Sequence, residues 1–203
     1  MENLPQIVKI PNPVLRHTAK EVKLEDITLP AIQKLIMRMQ ETLRITPDGV
    51  GLAAPQIGKS LRIFIISEEA EEIDRADARE RTLSEYEKRK RAEEQGQKSE
   101  KPYEERPWKY YVFINPKVKK VSKKKLSGPE GCLSVPQKYG TVERAEKIIV
   151  EAYDETAKKF TRGSSRFFAR VMQHELDHLD GILFVDKVSE WIAVSQKDAQ
   201  MID

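Results

Sequence analysis

Two histidines and a glutamate near the end of the chain stand at a spacing that suits metal-assisted hydrolysis. The segment His174-Glu175-Leu176-Asp177-His178 holds two of the three histidines of the chain. On a helix, residues four apart share a face, so one cation can bind both imidazoles. Glu175 points about 100° around the helix and can take a proton from a water molecule at the metal without being a ligand itself. The motif therefore predicts a metal site with a general base.

The motif alone does not choose among hydrolases, because zinc proteases use the same pattern and differ in the third ligand. Proteases that add a third histidine would carry it at position 184, where this chain has Phe184. Glu190 and Asp198 lie downstream, but neither stands in a second helical motif. Cys132 is the better candidate, because a thiolate can complete a three-ligand site with an open position. Considered alone, a single cysteine is more often a small buried hydrophobe.

Apolar periodicity and turn residues indicate the elements that must position these side chains. A helix capped by Ser164 or Ser165 and ending near Leu179 would carry the histidine motif. An amphipathic helix is predicted after Pro30. Strands are predicted at 61–66, 110–114, 118–121 and 147–153. The short connections between them favour antiparallel pairing, whereas the glycine-rich segment 49–58 is too rich in glycine for a stable element.

Length and composition limit the class of protein. The chain has 203 residues, enough for one packed core and few for two, so residues 1–203 are expected to form a single domain. No stretch approaches the roughly 18 to 20 consecutive apolar residues of a membrane span, so no membrane partner is expected. The single cysteine fits a reducing compartment, and the cytoplasm is the expected location. A formal charge of +3 is too small to predict DNA binding.

A charged segment at 67–107 interrupts this pattern. It mixes both charge signs with few large apolar residues, so it cannot build a core of its own. Interspersed opposite charges without proline between Glu68 and Lys101 favour an exposed helix or helical hairpin, with partial disorder as the alternative. We interpret the segment as an insertion. A ribosome-contacting arm, an oligomer contact and a solvated hairpin all stay open as its role.

Three segments, in this order, resemble the three motifs of peptide deformylases. They are GVGLAAPQ at 49–56, EGCLS at 130–134 and QHELDH at 173–178. The similarity extends to 11–16 and 142–144, and so covers most of the chain outside the charged segment. It implies an α+β fold with antiparallel sheets around the C-terminal motif helix. It also implies removal of the formyl group from the initiator methionine of nascent polypeptides, with release of formate.

The resemblance also implies which residues hold the metal ion. One divalent ion would be bound by Cys132, His174 and His178. Members of the family typically use iron(II) in the cell and tolerate zinc, nickel or cobalt. The sequence does not choose among these ions.

Catalytic and substrate-binding roles follow from the same resemblance. Glu175 would be the catalytic acid and base, and Gln56 with the backbone N–H of Leu133 would hold the oxyanion. A formyl carbon bears only hydrogen, so a cramped site can accept it and exclude larger acyl groups, while methionine needs an apolar slot. The residues expected against the substrate are Gly49, Val50, Gly51, Glu130 and Val171.

Three alternatives to this function are compatible with parts of the sequence. The first is a deformylase acting on a different N-formyl substrate, because the slot residues are assigned only by analogy. The second is an HExxH metalloprotease, which Phe184 disfavours. The third is a non-catalytic binding relative, which the presence of Glu175 and all three candidate ligands disfavours. The expected partners are N-formylmethionyl nascent peptides and, transiently, the ribosome.

Overall fold

A computed structural model describes residues 5–46, 49–82 and 109–193 of the protein, with 76–82 as backbone only. Its helices and strands position the candidate site. The helices are α1 (Pro30–Arg44), α2 (Glu69–Thr82) and α3 (Arg166–Leu179). The strands are β1 (Gly51–Ala53), β2 (Ile63–Ser67), β3 (Tyr110–Val121), β4 (Lys125–Cys132), β5 (Val135–Ala145), β6 (Lys147–Tyr153), β7 (Lys159–Ser165) and β8 (Val188–Ile192). Within the described ranges, every helix is too short or too polar to cross a membrane.

The strands form two antiparallel sheets. The larger sheet has the order β1-β2-β3-β6-β7, and the smaller one has the order β4-β5-β8. Every neighbouring pair in both sheets is antiparallel. The glycine-rich segment does contain a short strand, β1, because Leu52 and Ala53 are fully buried and its backbone pairs with β2. This corrects the prediction of no stable element there.

The larger sheet packs between two helices. Successive residues of a strand point to opposite faces. On β2, Ile63 and Ile65 pack with Ile36 of α1, while Phe64 and Ile66 belong to the cluster that contains the apolar side of α3. All five residues of β2 are therefore buried. This arrangement places the motif helix α3 inside the domain, and the predicted α+β fold with antiparallel sheets around that helix is confirmed.

The N-terminus of α3 is capped by a residue distant in sequence. Ser165 occupies the N-cap position, but its side chain makes no capping hydrogen bond. Instead, the backbone N–H groups of Phe167 and Phe168 donate to the two carboxylate oxygens of Asp74, at 3.0 and 2.9 Å. A carboxylate at this end also complements the positive end of the helix dipole. Ser165 therefore holds the predicted N-cap position, but the group that accepts the capping hydrogen bonds is Asp74 of α2 and not a serine side chain.

The charged segment begins inside the domain. Ser67 is the last residue of β2 and pairs with Tyr110, and Ala70 is fully buried in the cluster that contains α3. Glu71 accepts hydrogen bonds from the Tyr111 hydroxyl and from Arg162. One face of α2 thus packs on the core, although the amino-acid composition of the helix is typical of a solvent-exposed helix. Residues 83–107, the rest of the predicted insertion, lie outside the described residues.

Removing the cap is expected to destabilise the domain. Asp74→Ala leaves two N–H groups at the start of α3 without their acceptor, which should cost about 1 kcal/mol of unfolding free energy. Urea unfolding of the purified variants measures the difference. Glu72→Gln, at an exposed position two residues earlier on the same helix, is the matched control and should change stability by less than about 0.5 kcal/mol. Equal midpoints for wild type and Asp74→Ala would contradict the capping role.

The smaller sheet carries the cysteine. Strands β4 and β5 pair from Lys125 opposite Ala145 to Cys132 opposite Val135, and only Leu133 and Ser134 separate the two strands. Cys132 is thus the last residue of a strand that leads into a tight turn. The pairing keeps one register from Lys125 to Gly131 and shifts between Gly131 and Cys132, so the thiol lies at an irregularity of the hairpin next to the turn.

Candidate metal centre and active site

Helix α3 and the β4–β5 hairpin bring three donor groups together. Cys132, His174 and His178 each offer one donor atom, and these atoms lie within 4.8 Å of one another. The Cys132 Sγ lies 3.2 Å from His178 Nε2. One thiolate and two imidazoles form a donor set that suits a tetrahedral metal ion and leaves its fourth position open. The three residues predicted as ligands therefore converge in space.

Burial prepares one of the imidazoles for metal binding. His178 is 1% exposed, and burial, followed by the neighbouring His174, holds the pKa of His178 well below its usual value. The ring is therefore neutral, and a neutral imidazole is the form that binds a metal ion.

Glu175 lies against strand β1 and is almost fully buried. A methyl group added at Gly51 would stand 2.5 Å from Glu175 Oε1 and 3.0 Å from Val171 Cγ1, so the close approach of β1 to α3 requires a glycine. Within the described part of the chain, Glu175 Oε2 has no hydrogen-bond partner. An unpartnered carboxylate oxygen beside a Cys-His-His donor set fits a site that activates water. Burial raises the pKa of Glu175 to about 7, a value suited to accepting and returning a proton near neutral pH.

The raised pKa of Glu175 predicts a pH dependence of stability in the metal-free protein. The folded state keeps the Glu175 proton up to pH about 7, whereas the unfolded chain releases it near 4.5, so the free energy of unfolding should fall as pH rises between these values. Glu175→Gln stays neutral and should escape this loss, which is roughly 3 kcal/mol at pH 7. Urea unfolding of both chelator-treated proteins at pH 5 and pH 7 measures the difference. If the difference in unfolding free energy between Glu175→Gln and wild type is no larger at pH 7 than at pH 5, the prediction is contradicted.

Gln56 presents its amide to the same place. Its Oε1 accepts a hydrogen bond from the Ala53 N–H at 2.7 Å, and its Nε2 donates to Cys132 Sγ at 3.6 Å. The side chain is 1% exposed, so its orientation is fixed. Leu133, the other predicted oxyanion donor, is the first residue of the hairpin turn and adjoins Cys132 in sequence. Both predicted donors therefore lie next to the thiol.

Four of the five residues predicted to contact substrate border this site. Gly51 and Val171 lie against Glu175, as described above. A methyl group added at Gly49 would stand 3.4 Å from Leu133 Cδ1, so this end of the segment runs beside the hairpin turn. Val50 packs against the core cluster of α3. Segment 49–51 thus passes between the turn and the motif helix.

Glu130, the fifth residue predicted at the substrate, is occupied differently. Its side chain is 4% exposed, and both carboxylate oxygens accept hydrogen bonds from Arg144, at 2.9 and 2.8 Å. A further pair of contacts joins it to Arg170 Nη1 at 2.8 Å and to His174 Nδ1 at 3.0 Å. Burial alone would raise the pKa of Glu130, but the hydrogen bonds from Arg144 and His174 hold that pKa well below its usual value. The carboxylate is therefore held in a buried network that includes His174.

Two further contacts extend this network. Arg144 also donates to Asp177 of the motif, which in turn accepts hydrogen bonds from Lys187 at 2.7 Å. Glu130 and Arg144 themselves form a buried ion pair. Arg170 was not singled out from the sequence. The only signal for it is its position, one helical turn before His174.

These features define an α+β protein in which an HExxH helix and a cysteine of a neighbouring hairpin bring together three side chains that could hold a metal ion. A model of the polypeptide deformylase family matches residues 4–193. The chain belongs to that family.

Relatives of the chain carry the corresponding name. The chain is 39% identical to peptide deformylase 1A, chloroplastic/mitochondrial, of Arabidopsis thaliana over 186 residues, which are 92% of this chain and 62% of that protein. It is 38% identical to peptide deformylase 1 of Vibrio vulnificus over 184 residues, 91% of this chain and 86% of that protein. The chain spans 62% and 60% of the length of the Arabidopsis and Solanum lycopersicum relatives.

Solved structures share the fold. A class I type b peptide deformylase from Acinetobacter baumannii, bound to Met-Ala-Ser, matches with a TM-score of 0.69 and 28% identity, covering 93% of this chain and 100% of that chain. A plant peptide deformylase matches with a TM-score of 0.68 and 29% identity, covering 100% of this chain and 86% of that chain.

Proposed function

We propose that this protein is a metal-dependent peptide deformylase, which hydrolyses the N-terminal formyl group of methionyl peptides and releases formate. The observation that carries the proposal is the buried carboxylate of Glu175, held against Gly51 beside three convergent donor atoms. Membership of the polypeptide deformylase family supports the same activity. The Acinetobacter relative binds Met-Ala-Ser, the product that deformylation of formyl-Met-Ala-Ser would leave.

The metal ion would be held by Cys132, His174 and His178. When bound, a divalent ion polarises a carbonyl oxygen and lowers the pKa of water from about 15.7 to about 7. Thiolate and imidazole donors suit several first-row transition metals. We propose iron(II) as the ion in the cell, with zinc, nickel or cobalt as substitutes.

Glu175 would move the protons of the reaction. Its carboxylate takes a proton from the attacking water and later delivers that proton to the leaving amine. The pKa near 7 lets one side chain serve both steps, because neither protonation state is strongly disfavoured at neutral pH. The burial of Glu175 also keeps bulk water from competing for the proton.

Gln56 and Leu133 would stabilise negative charge on the formyl oxygen. The amide of Gln56 is fixed by its hydrogen bond from Ala53, so its N–H groups need no rearrangement when charge develops. The backbone N–H of Leu133 would be the second donor. Contacts of this kind are worth roughly 3 to 4 kcal/mol of transition-state stabilisation.

The close packing around Glu175 supports a small acyl group as the substrate. Strand β1 approaches α3 so closely that a methyl group at Gly51 would collide with Glu175 and Val171. A formyl group has hydrogen in place of a larger acyl substituent and therefore needs the least room. Val50 and Val171 supply apolar surface beside the site for the methionine side chain.

Formate release tests the proposal directly. Protein purified without oxygen is incubated with formyl-Met-Ala-Ser, and metal content is determined on the same sample. Acetyl-Met-Ala-Ser is the matched control, because it differs only in the acyl substituent. Formate from the first peptide, with the acetyl peptide left intact, is the expected result. No formate from fully metal-loaded protein would overturn the proposed substrate and leave a different N-formyl compound as the alternative.

The same proposal extends to partners and location. N-formylmethionyl chains arise during translation, so we place the protein transiently at the ribosome, in the cytoplasm. Exposed Lys120 and Lys123, near the end of β3, offer charge to ribosomal RNA. Sedimentation with ribosomes at low salt, lost at higher salt, is the expected result.

Because one relative is named chloroplastic/mitochondrial, imaging of the tagged full-length protein tests the compartment separately.

A further inference from the structure

A buried arginine on the motif helix connects it to the cysteine hairpin. Arg170 lies four residues before His174 and is 9% exposed. Its guanidinium donates hydrogen bonds to the backbone oxygens of Leu126, at 2.7 Å, and Gly128, at 3.2 Å, both on β4. It also donates to the backbone oxygen of Val142 on β5, at 2.8 Å. One side chain of α3 therefore holds both strands of the hairpin that carries Cys132.

Arg170 also acts on a candidate ligand through a carboxylate. Its Nη1 donates to Glu130 Oε1 at 2.8 Å, while Glu130 Oε2 contacts His174 Nδ1 at 3.0 Å. Arg144 holds both oxygens of Glu130 from another direction. When a histidine binds a metal through one ring nitrogen, a carboxylate hydrogen-bonded to the other ring nitrogen fixes both the tautomer and the ring orientation. The position of Glu130, and through it that of His174, depends on two arginines.

The backbone opposite Arg170 is shaped to receive it. A methyl group added at Gly128 would stand 3.0 Å from Arg170 Nη2 and 3.2 Å from Cζ, so the guanidinium lies directly against this glycine. A side chain at position 128 would push the guanidinium away from Glu130. Gly128 and Arg170 are therefore a matched pair.

A cavity opens beside this pair. Its volume is about 350 Å³, and its lining includes Gly128, Arg144, Phe167 and Arg170. Arg170 therefore forms part of the wall of this cavity.

We propose that Arg170 is a positioning residue for the metal site, which sets the orientation of His174 through Glu130 and fixes Cys132 relative to the histidine helix. The inference rests on the metal site of the proposed function. A purely structural arginine would contribute to stability and leave the properties of a bound metal unchanged. An arginine that positions ligands alters those properties in protein that is still folded.

Cobalt(II) reports on the site without requiring activity. The test compares the cobalt–thiolate absorption and the rate of cobalt loss to a chelator in wild type and Arg170→Met. Outer contacts of this kind typically change metal affinity by about 10- to 100-fold, so we expect cobalt loss to be faster by a similar factor, with a shifted absorption spectrum. With the native metal, kcat should fall while KM changes little, because the affected groups hold the metal and not the peptide.

Arg162→Met is the matched control. The Arg162 side chain is 23% exposed, pairs with Glu71 and packs on Tyr111 and Phe168. This variant should lose stability and keep the wild-type cobalt spectrum and dissociation rate. An equal spectral change in both variants would show a general loosening of the fold and would overturn the inference.

Two further measurements protect the test against a variant that fails to fold. Gly128→Ala keeps Arg170 but displaces its guanidinium, so it should shift the cobalt spectrum, whereas Gly163→Ala on β7, where an added methyl group meets nothing closer than 3.9 Å, should not. In Arg170→Ala, millimolar methylguanidinium entering the cavity should restore slow cobalt loss. If both Arg170→Met and Gly128→Ala keep the wild-type cobalt spectrum and rate of cobalt loss, the inference about Arg170 is overturned and the proposed metal site still stands. A wild-type protein that takes up no cobalt would overturn the metal site together with it.

Discussion

Glu175→Gln is expected to retain the metal ion and to lose nearly all turnover. The amide has the shape of the carboxylate and fits the same space against Gly51, but it cannot accept a proton from water or return one to the amine. General acid–base catalysis is typically worth about 10²- to 10⁴-fold in rate. Because one carboxylate serves two steps here, we expect formate release to fall by roughly 10³-fold or more. Formate assays on wild type and variant with equal metal content measure the loss.

A glutamate remote from the site controls for the loss of one negative charge. Glu143 lies on β5, is 53% exposed and pairs with Lys125. Glu143→Gln should keep wild-type turnover. Near wild-type turnover in Glu175→Gln would exclude Glu175 as the acid and base and would require another group in that role.

Sequence spacing predicted the part of the site that lies within one helix. The four-residue interval between His174 and His178 fixes their shared face as soon as the segment is helical, and the helix does extend from Arg166 to Leu179. Cys132 could not be placed by spacing, because it lies on another element. Its donor chemistry makes it a candidate, and the resemblance of three segments to one family selects it.

Contacts between segments that are distant in the chain could not be predicted from the sequence. Asp74 caps α3 across 93 and 94 residues, and its segment has the composition of a solvated helix. Arg170 would be read from sequence as a surface residue, yet it is buried, because Glu130 and three backbone oxygens satisfy its guanidinium. Such pairings depend on how the sheets meet the helix, and local periodicity carries no information about that.

Strands β4 and β5 were missed for a related reason. The segment from Lys125 to Cys132 contains two glycines and a proline, which favour turns in any local reading. It forms a strand because β5 pairs with it in one continuous register from Lys125 to Gly131. The glycines are useful there, since Gly128 makes room for Arg170. The weak strand propensity of β4 thus accompanies the close approach of the Arg170 guanidinium to its backbone.

Cys132→Ala is expected to lose most of its affinity for metal. The variant keeps two imidazoles of one helix and removes the donor that comes from the hairpin, so the set falls from three protein ligands to two. The metal that joins α3 to the hairpin should also stabilise the folded state, by about 2.7 kcal/mol when free metal is 100-fold above its Kd. We therefore expect wild type, and not the variant, to gain stability when metal is added. Metal per chain after dialysis and urea unfolding with and without metal measure both effects.

His17 provides the control for this experiment. It is the remaining histidine of the chain, it is exposed, and it is not among the three convergent donors. His17→Ala should keep one metal ion per chain and the full gain in stability. Stoichiometric, dialysis-resistant metal in Cys132→Ala would mean that the third ligand is another group. The open position would then lie elsewhere, and the places assigned to Gln56 and Leu133 beside the thiol would lose their basis.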